Sequence, residues 1–225
     1  MNIVALTKDL AGYQHPYVTV DGVLFRSNGT CLEVKLIQPP KLEGQWGLPG
    51  GFVSIDKLAI DTLREKMAEK ANISGFYAEQ LQTYDALTRD ERGRVLTIAY
   101  LCLTNDFSDS NDWFAVVSND ELVQEDMVIK LDSLAFDHGQ IIRDAKERLT
   151  NKLWYSDLAR YLLPEEFKMS AAQRLFEMLE GSNYHNNFRR NMRDRVIEVG
   201  IETSGHHGGP KATLYRWATP NRKEK

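Results

Sequence analysis

A chain of 225 residues is long for one small domain and suits two. With 42% hydrophobic and 27% charged residues and a formal net charge of −4, it falls outside the disordered and fibrous classes and lacks the overall positive charge of a general nucleic-acid binder, while leaving room for a local basic patch. Cys31 and Cys102 lack the C-x-x-C spacing of a zinc site or disulfide framework, no apolar run reaches the ~18 residues of a membrane span, and the start, MNIVALTKDLAG, lacks the basic and apolar regions of a secretion signal, so a cytoplasmic address is expected.

Tyr17 to Arg26 (YVTVDGVLFR) alternates and then runs apolar as a core strand does, and Ser27-Asn28-Gly29 is a turn signal before a second strand from Cys31 to Gln38. Pro39-Pro40 closes this hairpin, and Lys41 to Gln45 form a short connector. Trp46, Leu48, Phe52 and Val53 then alternate around Pro49-Gly50-Gly51 as strand residues do around a tight turn, where glycine tolerates positive φ without steric cost. Ile60, Leu63 and Met67 recur at helical spacing, and Asn72 has the left-handed tolerance that ends a helix.

Tyr77 to Leu87 reads as a strand, Thr88 to Gly93 (TRDERG) as a charged turn, and Arg94 to Leu103 as an apolar strand buried on both faces. Arg89, Asp90, Arg92 and Arg94 form either a salt-linked turn or a set of guanidiniums for phosphate or ribose. After a polar loop, Asp106 to Asn111, come a strand from Trp113 to Val117, a short acidic piece from Asp120 to Val123, and Ile129-Lys130-Leu131, which closes the sheet.

Helical spacing returns from His138 to about Leu163, with Ile141, Ile142, Ala145, Leu149 and Leu153 on one face; such a helix would bridge two domains or pair protomers. Asp137 is placed to cap it, and Asp137-His138 can also be read as an acid-base pair. Beyond Pro164, Ser170-x-x-Gln173 is a capping box for a helix from Ala171 to Glu180, stopped by Gly181. Asn183 can cap a second helix running to Val199, with Phe188, Met192, Val196 and Val199 inward and Asn186, Asn187, Arg189, Arg190 and Arg193 on the other face. Ile201 to Thr203 and Ala212 to Trp217 read as two strands joined by SGHHGGPK.

Helix, turn, basic helix and hairpin is the layout of a winged helix-turn-helix, and the Asn and Arg side chains are of the types that read adenine and guanine edges. The alternative is a solvated face of a small helical domain. His206-His207 lack a third metal ligand; His206 and Lys211 suit wing contact with the phosphates or minor groove.

The glycine turn and its helix resemble the Nudix box, G-x5-E-x7-R-E-U-x-E-E-x-G-U with U apolar, approached through LPGGFV. In that family the glutamates hold Mg²⁺ against a diphosphate from one helix face. Counting from Gly51 without gaps puts Lys57 at the first Glu, Glu65 at the Arg, Lys66 at the next Glu, and Glu69 and Lys70 at the Glu pair, with Met67, Asn72 and Ile73 in agreement. A rival register drops one loop residue; it gives Asp56 and Arg64-Glu65 their matches but sets Lys66 on an apolar position and Ala68 on a metal ligand. Either way a carboxylate is missing. Two like charges ~4 Å apart repel by about 4 kcal/mol even at an effective dielectric of 20, so a lysine-filled box is a poor seat for Mg²⁺ and a reasonable one for an anion.

Along nearly its full length the chain is similar to the Nudix-related transcriptional regulators, the NrtR-type family, through the degraded box, RDERGRVLTIAY, LAFDH, LPEEF, NNFRR and GGPKATLYRW. The resemblance implies an α+β fold: a Nudix-like α/β/α sandwich with a mixed sheet over residues 1–137, a linking helix over 138–163, and a small winged helix-turn-helix domain over 164–225. It also implies a homodimeric, ligand-responsive regulator with no cofactor and no membrane attachment, whose partners are a double-stranded DNA operator and a nucleotide or sugar metabolite, ADP-ribose favoured.

Expected ligand residues are Gly50, Gly51, Phe52, Lys66, Glu69, Arg89 and Arg94; expected DNA residues are Asn186, Asn187, Arg189, Arg190, Arg193, His206 and Lys211. The alternative is a Mg²⁺-dependent Nudix hydrolase of ADP-ribose or another nucleoside diphosphate derivative, with Glu65 and Glu69 carrying metal and catalysis. A third reading is a nucleotide-binding module whose C-terminal domain docks a protein.

Overall fold

A computed structural model describes residues 12–40, 44–107, 111–181, 187–203 and 211–218. An eight-stranded sheet is built on β1 (Tyr17–Ser27), which pairs antiparallel with β2 (Leu32–Lys35) and β3 (Gly50–Phe52) and parallel with β5 (Val95–Leu103). β4 (Tyr77–Tyr84) forms the edge beyond β5, and β6 (Trp113–Val116), β7 (Glu121–Gln124) and β8 (Met127–Lys130) extend the sheet beyond β2. The one parallel pair makes the sheet mixed.

Strand period two sorts the core into two layers. Val20 and Leu24 of β1 and Tyr100 and Cys102 of β5 face α1 (Ala59–Ala71), meeting Leu63, Met67 and Ile73. Val23, Phe25, Ala99, Leu101 and Leu103 face the other way, toward Ile141, Ile142, Ala145 and Leu149 of α2 (His138–Lys152). The result is the expected α/β/α sandwich. Gly22 lets α1 approach closely: a Cβ there would lie 2.0 Å from Met67 Cε and 2.9 Å from Leu63 Cδ1.

The box register is settled by burial. Met67 and Ile73 are fully buried and Asn72 ends α1 in the left-handed conformation at φ 55°, as the gap-free count requires. Lys66, which the rival register sets on an apolar position, points its ammonium at Glu69.

The second half departs from the sequence reading in four places. α2 stops at Lys152, and Leu158 and Leu162 reach the core from a 3₁₀ turn, Leu158–Tyr161, and its end rather than from a continuing helix. α2 also lies against the sheet with its apolar face covered, so that face is not free to pair protomers. α3 (Met169–Glu180) begins before Ser170, with Lys168 at its cap position and no side-chain cap bond, while Gly181 ends it at φ 68° as expected. The second helix is one short piece, α4 (Phe188–Met192), and Val196 opens a strand instead: β10 (Val196–Thr203) pairs with β11 (Lys211–Trp217), which pairs with β9 (Phe167–Lys168). Asn183 lies outside the described residues. Phe188 and Met192 are buried as expected, but Val199 is exposed.

Trp154, Phe176 and Phe188 join these parts edge to face, with centroids 4.6, 5.9 and 5.2 Å apart in pairs. The apolar core is continuous from Phe25 and Leu101 through Leu153 and Leu162 to Phe176 and Trp217.

Candidate ligand cleft and basic face

The cleft opens where β3 meets β1. Gly50, which lines it, is paired to Asp21: a Cβ there would lie 2.2 Å from the Val20 carbonyl oxygen and 2.3 Å from Asp21 Oδ1, so no side chain fits. At Gly51 the atoms nearest a Cβ would be Lys66 methylenes, 3.2–3.3 Å away. Around this end of β3, Thr19, Asp21, Lys70, Arg89, Asp90, Arg92, Phe52, Phe136 and His138 line about 350 Å³, within the range of small-molecule sites.

The charges are held by one another. Arg89 donates two hydrogen bonds to Asp137, at 2.7 and 3.0 Å, and lies 3.7 Å from Asp21, with its side chain only 3% exposed. Burial pushes the Asp21 carboxyl up, but His138, Thr97 and Arg89 outweigh it and hold the group below the usual carboxylate range. His138 Nδ1 accepts the Leu48 N–H at 2.9 Å, which leaves the ring proton on Nε2, 3.7 Å from Asp21. Asp137 therefore does not cap α2 through its side chain; the guanidinium takes both of its oxygens. This also removes the acid-base pair reading, since His138 turns to Asp21 and Leu48.

On the helix side, Lys70 donates to the Gly50 carbonyl at 2.7 Å, and burial together with nearby Lys66 pushes its ammonium below the usual lysine value. Lys66 bonds Glu69 at 2.8 Å, and Lys57 bonds Glu65. Of the four positions that the box gives to carboxylates, Glu69 keeps one, and the other three carry ammonium groups bonded to Glu65, Glu69 and the Gly50 carbonyl; no cluster of three metal-ligating groups occurs among the described residues. This donor set does not fit Mg²⁺.

Of the seven residues expected at the ligand, Gly50, Gly51, Phe52 and Arg89 line the cleft. Lys66 and Glu69 pair with each other beside it, and Arg94 turns to the Asp85 carbonyl at 2.6 Å. Arg92, one of the guanidiniums the charged turn offers, also lines the cleft, as do Asp21, Lys70, Phe136 and His138, which lie outside the expected ligand residues. Asp21 carried a signal, a charge inside an otherwise apolar strand, and Lys70 was visible in the register. Phe136 sits at φ 55°, a strained conformation for a bulky side chain, and its ring meets His138 at 5.4 Å.

In the second half of the chain, Asn187 just before α4, Arg189 and Arg190 on it and Arg193 just after it are exposed, and Lys211 is exposed at the start of β11. The shorter helix still groups the three arginines. Asn186 and His206 lie outside the described residues.

No family model matches the chain. It is 33% identical over 214 residues to the ADPR responsive transcriptional repressor NtrR of Acinetobacter baylyi, covering 92% of this chain and 84% of that protein. Among solved structures it is similar to a MutT/nudix family protein from Enterococcus faecalis, with TM-score 0.78 and 27% identity over 95% of this chain and 92% of that one. It is also similar to Shewanella oneidensis NrtR complexed with a 27mer DNA, with TM-score 0.69 and 32% identity over 89% and 93% of the two chains.

Proposed function

The chain belongs to the Nudix-related transcriptional regulators of the NrtR type, and from that premise we propose that it is a metabolite-responsive repressor, with ADP-ribose as its effector and duplex operator DNA as its target. The observation that carries the sensing half is the Lys70 ammonium bonded to the Gly50 carbonyl. A cation stands where a hydrolase would place a metal-binding carboxylate, so the cleft offers positive charge to an anion without the means to hold the metal. Gly50, Gly51, Lys70 and Arg89 take the diphosphate in this reading, and hydrolysis of the ligand is not part of it.

Residues 164–225 form the DNA-binding unit in this proposal and residues 138–163 the link. α2 starts beside the Arg89–Asp137 pair, and its C-terminal turn reaches α3, where Thr150 donates to the Leu179 carbonyl at 3.3 Å. An anion that draws Arg89 away from Asp137 therefore acts on the first turn of the element that ends against the DNA-binding unit. Ligand and DNA are coupled to the extent that the two arrangements of this link bind each differently.

Replacing Arg190 and Arg193 together by Ala tests the DNA half. Each lost phosphate contact reduces the slope of log K against log salt by roughly 0.9, so a double variant loses roughly 1.8. Weakened binding with that slope change is expected; an unchanged slope assigns the DNA contact elsewhere.

A further inference from the structure

The basic run from Phe188 to Arg195 (FRRNMRDR) does not present its four arginines alike. Arg189, Arg190 and Arg193 are exposed, whereas Arg195, in the turn between α4 and β10, is half-buried. Its guanidinium lies 5.1 Å from the Trp217 ring and 5.8 Å from the Phe176 ring, and both of these residues are buried.

The same side chain reaches across to the linking segment. Arg195 Nη2 donates to the backbone carbonyl of Ser156, four residues past the end of α2. Ser156 is tied to that end in turn: its N–H, at 3.0 Å, and its hydroxyl, at 2.6 Å, both donate to the Lys152 carbonyl. The Lys152 ammonium bonds both oxygens of Glu79 in β4, at 2.9 and 2.8 Å. On the other side, the Arg195 backbone N–H donates to the carbonyl of Met192, the last residue of α4, at 3.0 Å. Its own carbonyl accepts from Ala218 N–H, just past β11, at 2.8 Å. One residue thus joins the end of α2, the end of α4, α3 through Phe176 and the hairpin through Trp217. A guanidinium suits this place, because it can donate in its plane while its faces lie against aromatic rings, which an ammonium cannot do.

We propose that Arg195 is a positioning residue for operator binding: it fixes the end of α4, and with it the exposed Arg189, Arg190 and Arg193, to the segment that follows α2. This deepens the reading of the basic face as the DNA contact and of residues 138–163 as the link, and it rests on both. A displacement at the end of α2 moves Ser156, and the bond from Arg195 carries that movement to α4. Arg193 and Arg195, two positions apart, therefore do different work. Arg193 neutralises a phosphate, whereas Arg195 touches no DNA and decides how the state of the link is felt at the basic face.

The test is fluorescence anisotropy of a labelled operator duplex with the full chain, over a range of salt and with and without saturating ADP-ribose. Wild type is compared with Arg193→Ala, Arg195→Met and Arg195→Lys. Arg193→Ala should reduce the slope of log K against log salt by roughly 0.9. Arg195→Met keeps apolar contact with the two rings but has no donor for Ser156. Its slope should equal that of wild type, while the response to ADP-ribose, about 5- to 150-fold in wild type, should shrink to within twofold of none. Its affinity for ADP-ribose by calorimetry should stay within twofold of wild type. Arg195→Lys restores a donor and should recover part of the response. A residue that only stabilised the fold would lower the folded fraction and leave the response as it was. An Arg195→Met slope reduced by roughly 0.9 makes Arg195 a phosphate contact and overturns the proposal, as does a response within twofold of wild type. Hydrogen exchange of the wild-type chain reads the same contact without a substitution: protection of the Arg195 and Ala218 amides should change when ADP-ribose binds, and unchanged protection at both overturns the proposal whatever the variants do. A wild-type chain that binds ADP-ribose and operator without coupling them overturns the link reading, and this proposal with it.

Discussion

Removal of the Arg89 side chain is the most consequential single change in the cleft. The guanidinium is buried, bonded twice to Asp137 and 3.7 Å from Asp21, and the two carboxylates stay behind when it goes. Breaking a buried pair by deleting one partner costs about 3–5 kcal/mol, because the remaining charge is left without compensation. At about 2–4 °C per kcal/mol for a chain of this size, Arg89→Ala should melt roughly 6–20 °C below wild type. Arg89→Lys keeps the charge but not the paired geometry toward Asp137, so it should fall between the two. In a double-mutant cycle with Asp137→Asn, the pair should show a coupling of about 1–3 kcal/mol by urea unfolding. An Arg89→Ala chain within about 0.5 kcal/mol of wild type would refute the view that this ion cluster holds the cleft to α2.

Three further changes probe the same geometry. Gly50→Ala forces a Cβ into the Val20 carbonyl, which is backbone and cannot step aside, so a loss of at least about 3 kcal/mol is expected by chemical denaturation. Gly51→Ala first meets flexible Lys66 methylenes and should cost under about 1 kcal/mol, and similar losses for the two variants would contradict the close approach. Asp21, whose folded pKa is depressed, contributes stability that is present above its unfolded value of about 3.9 and is lost as pH falls through the folded value. Asp21→Asn should therefore be less stable than wild type at pH 7, with the gap narrowing only below about pH 4; a gap that closes already near pH 6 would assign the effect to another group.

Much of this molecule is legible in its sequence where one period dominates. The alternation of YVTVDGVLFR and the spacing of Ile60, Leu63 and Met67 each admit one local structure, and Asn72 marks the helix end at the residue found, whereas Gly50-Gly51, expected as a tight turn at positive φ, lies in strand β3 at negative or extended φ, the glycines serving the close approach to β1. The stretch after Phe188 is different: Phe188, Met192 and Val196 recur at helical spacing, yet Val196, Ile197, Val199 and Ile201 are dense in β-branched residues, and pairing with β11 decides in favour of a strand. The end of α2 is hidden in the same way, because a 3₁₀ turn brings Leu158 and Leu162 to the core at intervals a helix would also give. In the cleft, Gly50, Gly51 and Phe52 are visible locally as residues of the site, though as a strand rather than a turn. The Arg89–Asp137 pair spans 48 positions, and no local pattern reports which carboxylate a given arginine will meet.

Coupling between cleft and DNA is measured most directly by fluorescence anisotropy of a labelled operator duplex, titrated with the full chain in the absence and presence of saturating ADP-ribose at fixed salt. Coupling free energies of about 1–3 kcal/mol correspond to affinity changes of about 5- to 150-fold. Operator binding that weakens by a factor in that range, with the ADP-ribose recovered intact, is the predicted result. Operator affinity unchanged within twofold, or ADP-ribose converted to AMP and ribose 5-phosphate, would contradict it.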